Sequence, residues 1–244
     1  MSRMPGPFGP ARPYGMEYES NVDNAVIARF FNAVYAWMAA GLALTAVVAW
    51  WVSTRPDLMV QIFRGPILIV LVVAELALVW TISAATQRLT AGAATALFLV
   101  YSALNGLTLS VLFLAYAHAT LAGAFVVTAG MFGAMSLYGM FTRRDLTGMG
   151  SFLFMALIGL ILASVVSIFW RNTVLATLIN YAGVLIFVGL TAYDTQKLKY
   201  IATATANDPR AAARLSVNGA LSLYLDFLNL FLMLLRIMGG NRRG

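Results

Sequence analysis

The chain is 244 residues long, 61% hydrophobic and only 10% charged, with a mean hydropathy of +0.83. A soluble domain carries about 25% charged residues, so a chain with this much apolar surface has lipid for its solvent. The formal charge of +7 does not indicate nucleic-acid binding, because the basic residues lie in tails and between apolar runs, where they set membrane orientation; the lack of cysteine and the single histidine exclude disulfides, thiol catalysis and a zinc site of clustered Cys or His.

Residues 1–24, MSRMPGPFGPARPYGMEYESNVDN, are polar and rich in Pro and Gly. They lack the apolar stretch of a signal peptide and are expected to be disordered. Seven apolar segments follow, at about Phe30–Val52, Pro66–Ala85, Gly92–Ala115, Leu121–Phe141, Gly148–Trp170, Val174–Tyr193 and Ser216–Met238. Each is long enough to cross a hydrocarbon core of about 30 Å at 1.5 Å per residue, and no strand-like alternation suggests a barrel. The expected fold class is all-α: an integral membrane bundle of seven transmembrane helices over residues 25–240, with a basic tail at 241–244. Small residues such as Ala36, Ala39, Ala40, Gly41 and Ala43 in the first helix, and Ala156, Gly159 and Ala163 in the fifth, predict close helix packing.

Basic residues set the orientation. Arg3, Arg12, Arg29, Arg88, Arg143, Arg144, Lys197, Lys199, Arg210 and Arg214 fall on one side; Arg55, Arg64, Arg171, Arg236, Arg242 and Arg243 fall on the other. The bias predicts a cytoplasmic N-terminus and a cytoplasmic loop between the sixth and seventh segments. The basic C-terminus pulls the other way, so it lies outside unless the last segment is broken or re-entrant.

An ionisable side chain deep in a membrane is costly and is a candidate for function. Asp226 lies in the middle of LSLYLDFLNLFLMLL, and counting by threes and fours gives Asn218, Ser222, Asp226, Asn229, Met233 and Arg236. This polar stripe must face protein or water. Asp194, in GLTAYDTQKLK, ends a weaker stripe of Asn180, Gly183, Phe187 and Thr191. Asp194 ends its apolar run whereas Asp226 is central in its own, so the two meet only if one segment is displaced or broken. Two carboxylates a few Å apart at low dielectric cannot both ionise freely and titrate as a unit. Fully ionised, Asp194 and Asp226 form a hard oxygen site suited to a transient Ca²⁺. Glu75 lies about ten residues into the second helix and shares a face with Val79, Ile82 and Thr86, where it can line an aqueous path. Arg88 lies about 220° around that helix from Glu75 and reads first as an interfacial residue, or else as a counter-ion to Asp194. His118, in a short loop, is assigned no role.

The stretches SLYGMFTRRDLTGMGSFLFMALIGLILASVVSIF, VLIFVGLTAYDTQKLK, GALSLYLDFLNLFLMLLRIMG and NGLTLSVLFLAY resemble the bacterial branch of the Bax inhibitor (transmembrane Bax-inhibitor-motif) family, over roughly residues 25–240. The resemblance implies seven helices with the last at the centre. It also implies a pH-sensitive Ca²⁺ leak regulated by paired aspartates on the last two helices, matching Asp194 and Asp226. The family's acid in the second helix matches Glu75. Its aspartate-engaging arginine has Arg88 as nearest match, although Thr86 holds the expected face.

Two versions of an ion function follow: a cation leak channel gated by the aspartate pair, or a Ca²⁺/H⁺ exchanger. A third reading is a non-transporting membrane modulator of a protease or stress response, with a membrane-protein partner. An intramembrane aspartyl protease is disfavoured because Leu223-Tyr224-Leu225-Asp226 lacks the glycines that admit substrate backbone. No lysine in the seventh segment can carry retinal. The chain is therefore expected to be no enzyme and to hold no cofactor, with the lipid bilayer, Ca²⁺ and H⁺ as its partners. Its Ala/Arg-rich, Lys-poor composition suits a bacterial inner membrane.

Overall fold

A computed structural model describes residues 14–85, 88–170 and 172–240, with side chains from residue 24 onward. The helices are α1 (Tyr14–Ser53), α2 (Pro56–Arg64), α3 (Ile67–Ala84), α4 (Ala91–Leu109), α5 (Leu112–Ala115), α6 (His118–Phe141), α7 (Thr147–Phe169), α8 (Thr173–Ala204) and α9 (Pro209–Gly240). Seven spans are long and apolar enough to cross a membrane, with α4 and α5 together forming one of them. Residues 1–13 and 241–244, Thr86, Gln87 and Arg171 lie outside the described residues, and with them the greater part of the expected disordered stretch and the whole basic tail. From Tyr14 the chain is helical, so the expectation of disorder does not hold for residues 14–24.

Side chains sort by solvent. Trp80, Phe169 and Ile69 are exposed, as apolar groups facing lipid are free to be. At the end of α1 the guanidinium of Arg55 lies 4.1 Å from the Trp51 ring, an aromatic anchor of the kind found at membrane interfaces. Between α1 and α3 the short α2 turns Met59 and Ile62 against Val52 and Leu71. It was missed as a helix because only one side of PDLMVQIFR is apolar. The breaks between helices are capped: Thr90 Oγ1 accepts from Ala93 N–H at 3.2 Å, and Asn172 Oδ1 accepts from Val174 N–H at 2.8 Å.

The last helix is the most enclosed. Of its most apolar window 56% is buried, against 6% for α3 and 11% for α7. It packs on α8, α1, α6 and α4. By contrast α7 packs chiefly on α8, and α3 on α4 and α2. Helix α9 is continuous from Pro209 to Gly240, so the last segment is neither broken nor re-entrant. Seven spans then put the two ends of the bundle on opposite sides of the membrane.

Close packing depends on different small residues from those expected. Gly41 and Ala163 behave as predicted: a Cβ at Gly41 would collide with Phe98 and Ser102 of α4, and Ala163 packs against the core. Ala36, Ala39, Ala40, Ala43 and Gly159 are exposed, and Ala156 and Ala163 half-buried. The tight approaches are Gly139 against the Ala192 backbone, Gly150 against Tyr193, and Gly106 against Val48 and the Thr45 carbonyl. They cluster on α8 and on the α1–α4 pair because those helices have neighbours to meet.

Candidate functional site

Helices α8 and α9 form an antiparallel hairpin joined by only four residues, Thr205–Asp208. The turn closes tightly because Asp208 Oδ1 accepts from the N–H groups of Arg210 and Ala211, at 3.1 and 3.0 Å, with Pro209 at the helix start. Most of the loop expected between the sixth and seventh segments is helix instead. Two contacts fix the register: Gly219 lies against Leu198, and Gly183 against Met233. Ser222 is therefore level with Asp194, and Asp226 stands one turn further along, about 6 Å at 1.5 Å per residue. Extension of α8 past Tyr193 places Asp194 well inside its helix, and this brings the two aspartates near each other without any break in the chain.

A cavity of about 1140 Å³ lies against this hairpin. It is lined by Asp194 from α8, by Ser222, Asp226, Asn229, Met233 and Arg236 from α9, and by Glu75 from α3. Most of the polar stripe read from the seventh segment is thus the wall of one cavity. The exception, Asn218, lines a small neighbouring cavity of about 40 Å³ together with Asp194, Lys197 and Ser222. Asn218 also lines a third cavity, at the end of α3, with Arg88 and Trp80. Shared lining residues therefore link Arg88, Asn218, the aspartates and Glu75 in a row. Arg88 shares a cavity with neither aspartate, so it is not placed as their counter-ion. Its position beyond the end of α3 leaves it exposed, as the interfacial reading expected.

Local partners differ sharply among the acids. Asp226 is only 5% exposed, and its Oδ2 has no hydrogen-bond partner among the described residues. Such an orphan is costly in a protein interior and demands water, a cation or a proton. Glu75 is half-buried, and Thr108 Oγ1 of α4 donates to its Oε1 at 3.0 Å. Asp194 has Lys197 three residues on, lining both of the same cavities, and this lysine is its near cation. From sequence Lys197 also reads as a neighbour of Asp194, which would make the aspartate a solvated interfacial residue; the structure puts both on the cavities.

Tyr101 and Asn105 of α4 also line the large cavity and were not singled out from sequence, since each looked like one polar residue in an apolar run. Thr191 and Asn180 of the weaker stripe do not line it: Thr191 is buried and donates to the Phe187 carbonyl at 2.8 Å. Among the described residues no three acids or histidines gather closely enough to hold a resident metal.

The rest of the YDTQK segment secures a loop. Gln196 Oε1 accepts from Leu146 N–H at 2.8 Å, and its Nε2 donates to the Arg144 carbonyl at 2.8 Å. Lys199 Nζ donates to the Met140 carbonyl at 3.0 Å. One turn of α8 thus presents a carboxylate to the cavity and fastens the α6–α7 connection on its other side.

A sequence model of the family described as inhibitor of apoptosis-promoting Bax1 matches residues 27–243. The chain is 51% identical to the inner membrane protein YbhL of Escherichia coli K12 over 220 residues, covering 89% of this chain and 94% of that one. It is 46% identical over 217 residues to an uncharacterized protein of Deinococcus radiodurans, covering 89% and 92%. A Rickettsia prowazekii protein, RP147, is 41% identical over 219 residues, covering 88% and 91%.

Proposed function

Because the chain belongs to the Bax inhibitor family and is a multi-pass protein of the inner membrane, we propose that it is a pH-sensitive cation leak whose path runs along the α8–α9 hairpin and whose cargo is Ca²⁺. The observation that carries this reading is the unpartnered Oδ2 of Asp226 on a cavity shared with Asp194 and Glu75. A carboxylate in that position is stabilised by a proton or by a cation and by little else nearby. Asp194 and Asp226, a turn apart, compete for one proton, so the charge of the path changes with pH as a property of the pair. Hard oxygen ligands from carboxylates, Asn229 and Ser222 suit Ca²⁺ in transit, and too few of them converge to trap it. Lys197 beside Asp194 opposes cation entry from that end and is neutralised best when Asp194 is ionised. No covalent chemistry is assigned to the pair, and no cofactor.

The test is Ca²⁺ flux into proteoliposomes from pH 5 to pH 8. Wild type is expected to conduct with a pH dependence that Asp194→Asn flattens. Absence of flux above protein-free liposomes at every pH rejects the leak and transfers the proposal to a non-transporting membrane modulator. Ca²⁺ entry strictly matched by proton exit identifies exchange instead.

A further inference from the structure

We propose that the large cavity is also a phospholipid site, entered sideways from the bilayer between α3 and α7, with the lipid phosphate on Arg236 and a hydrocarbon chain lying along the crevice. The site stands whether or not the cavity conducts; only an effect of the lipid on flux rests on the reading above.

The walls decide the chemistry of the occupant. Helix α3 contributes Val72, Leu76 and Val79, and α7 contributes Ile161, Val165 and Ile168. These two helices hold to different neighbours, α4 and α8, so the gap between them faces the membrane. Leu76 is 67% exposed and Ile161 55% exposed although both line the cavity. Filled with water at about 30 Å³ per molecule, the space would take on the order of forty molecules. Water against apolar walls is unfavourable when hydrocarbon lies at the opening.

The crevice has the length of a lipid chain. The cavity follows α7 from Gly150 to Ile168, about 27 Å at 1.5 Å per residue. Its volume of 1140 Å³ spread over that length gives a mean cross-section of roughly 40 Å². An extended hydrocarbon chain can lie along a crevice of that length.

The charge on the crevice selects the headgroup. Arg236, four residues before the end of α9, is exposed and lines the cavity. Among the described residues no carboxylate pairs with it. An exposed guanidinium beside an apolar slot is a fork for a phosphate.

Native mass spectrometry of the full chain in detergent, with phosphatidylglycerol added, tests the site. One tightly held phosphatidylglycerol per chain is expected for wild type. Ile161→Trp fills the crevice and is expected to lower retention at least fivefold, and Ser164→Phe, one turn further along the same α7 wall, does the same should the first variant not fold. Arg236→Gln is expected to abolish the preference for phosphatidylglycerol over a diacylglycerol of equal chain length, which lacks phosphate. Leu185→Trp, on the exposed side of α8, leaves binding unchanged. Equal retention in wild type and both filling variants overturns the proposal, and so does a membrane peptide that copurifies one-to-one in place of lipid. None of these readouts involves ion flux.

Discussion

Asp226 keeps its position because Tyr224, two residues earlier, is locked in the opposite direction. Tyr224 is completely buried, and its ring meets Phe98 and Tyr101 edge-on at 5.6 and 5.8 Å. Thr45 Oγ1 donates to the Ser102 carbonyl at 2.8 Å, so the phenol O–H donates to Thr45, at 2.6 Å. Tyr224→Phe removes that one bond while leaving Thr45 a partner, and is expected to cost about 1 kcal/mol. The check is the unfolding midpoint in detergent; an unchanged midpoint contradicts the locking role. Asp145, outside the membrane, holds the start of α7 by accepting from the backbone N–H and hydroxyl of Thr147, at 2.9 and 2.6 Å. The side-chain bond first, then the backbone bond, holds its carboxyl below the ordinary value of 3.8. A lowered folded-state pKa means this contribution is present above about pH 4 and is lost as pH falls through the folded value. Hydrogen exchange at the first amides of α7 is expected to quicken in Asp145→Ala at pH 7, and to show no such difference from wild type at pH 2.

At the scale of elements, glycines distinguish packed helix faces from lipid-facing ones. Gly139→Ala pushes a methyl group into the Ala192 backbone and is expected to destabilise by about 1–3 kcal/mol, since a carbonyl cannot rotate aside as a side chain can. Gly159→Ala meets nothing within 4 Å and is expected to be neutral, or stabilising by up to about 1 kcal/mol. Thermal unfolding of the two variants side by side checks this, and equal effects would contradict the packing described. The same elements show what a hydropathy reading can deliver. Seven spans were legible because lipid exposure demands about twenty apolar residues in a row. The end of α8 was left open, because TQKLKY ends the apolar run while the helix continues to Ala204. That extension is held by tertiary partners of Gln196 and Lys199, and no pattern within one helix encodes those.

At the scale of the molecule, the candidate site was legible where one helix carried it and obscure where helices had to meet. The stripe around Asp226 needed only the 3.6-residue period. The place of Arg88 depended on how the end of α3 sits against α9, and the opening between α3 and α7 on two helices that pack chiefly on other neighbours. Orientation is also a whole-molecule property, and the charge bias predicts a cytoplasmic N-terminus. Because the natural chain has no cysteine, Arg143→Cys and Arg64→Cys each carry a sole thiol. In intact cells an impermeant maleimide is expected to label Arg64→Cys and not Arg143→Cys; the reverse pattern inverts the protein in the membrane. The central claim is that ions pass along the α8–α9 cavity. Ser222→Cys places the only thiol of the chain level with Asp194, on both cavities. The decisive measurement is Ca²⁺ flux through this variant in proteoliposomes before and after a charged methanethiosulfonate reagent, with Gly159→Cys as the lipid-facing control. Modification of Ser222→Cys is expected to block flux, and modification of the control is expected to leave it unchanged. Complete modification of Ser222→Cys with flux undiminished would contradict the central claim.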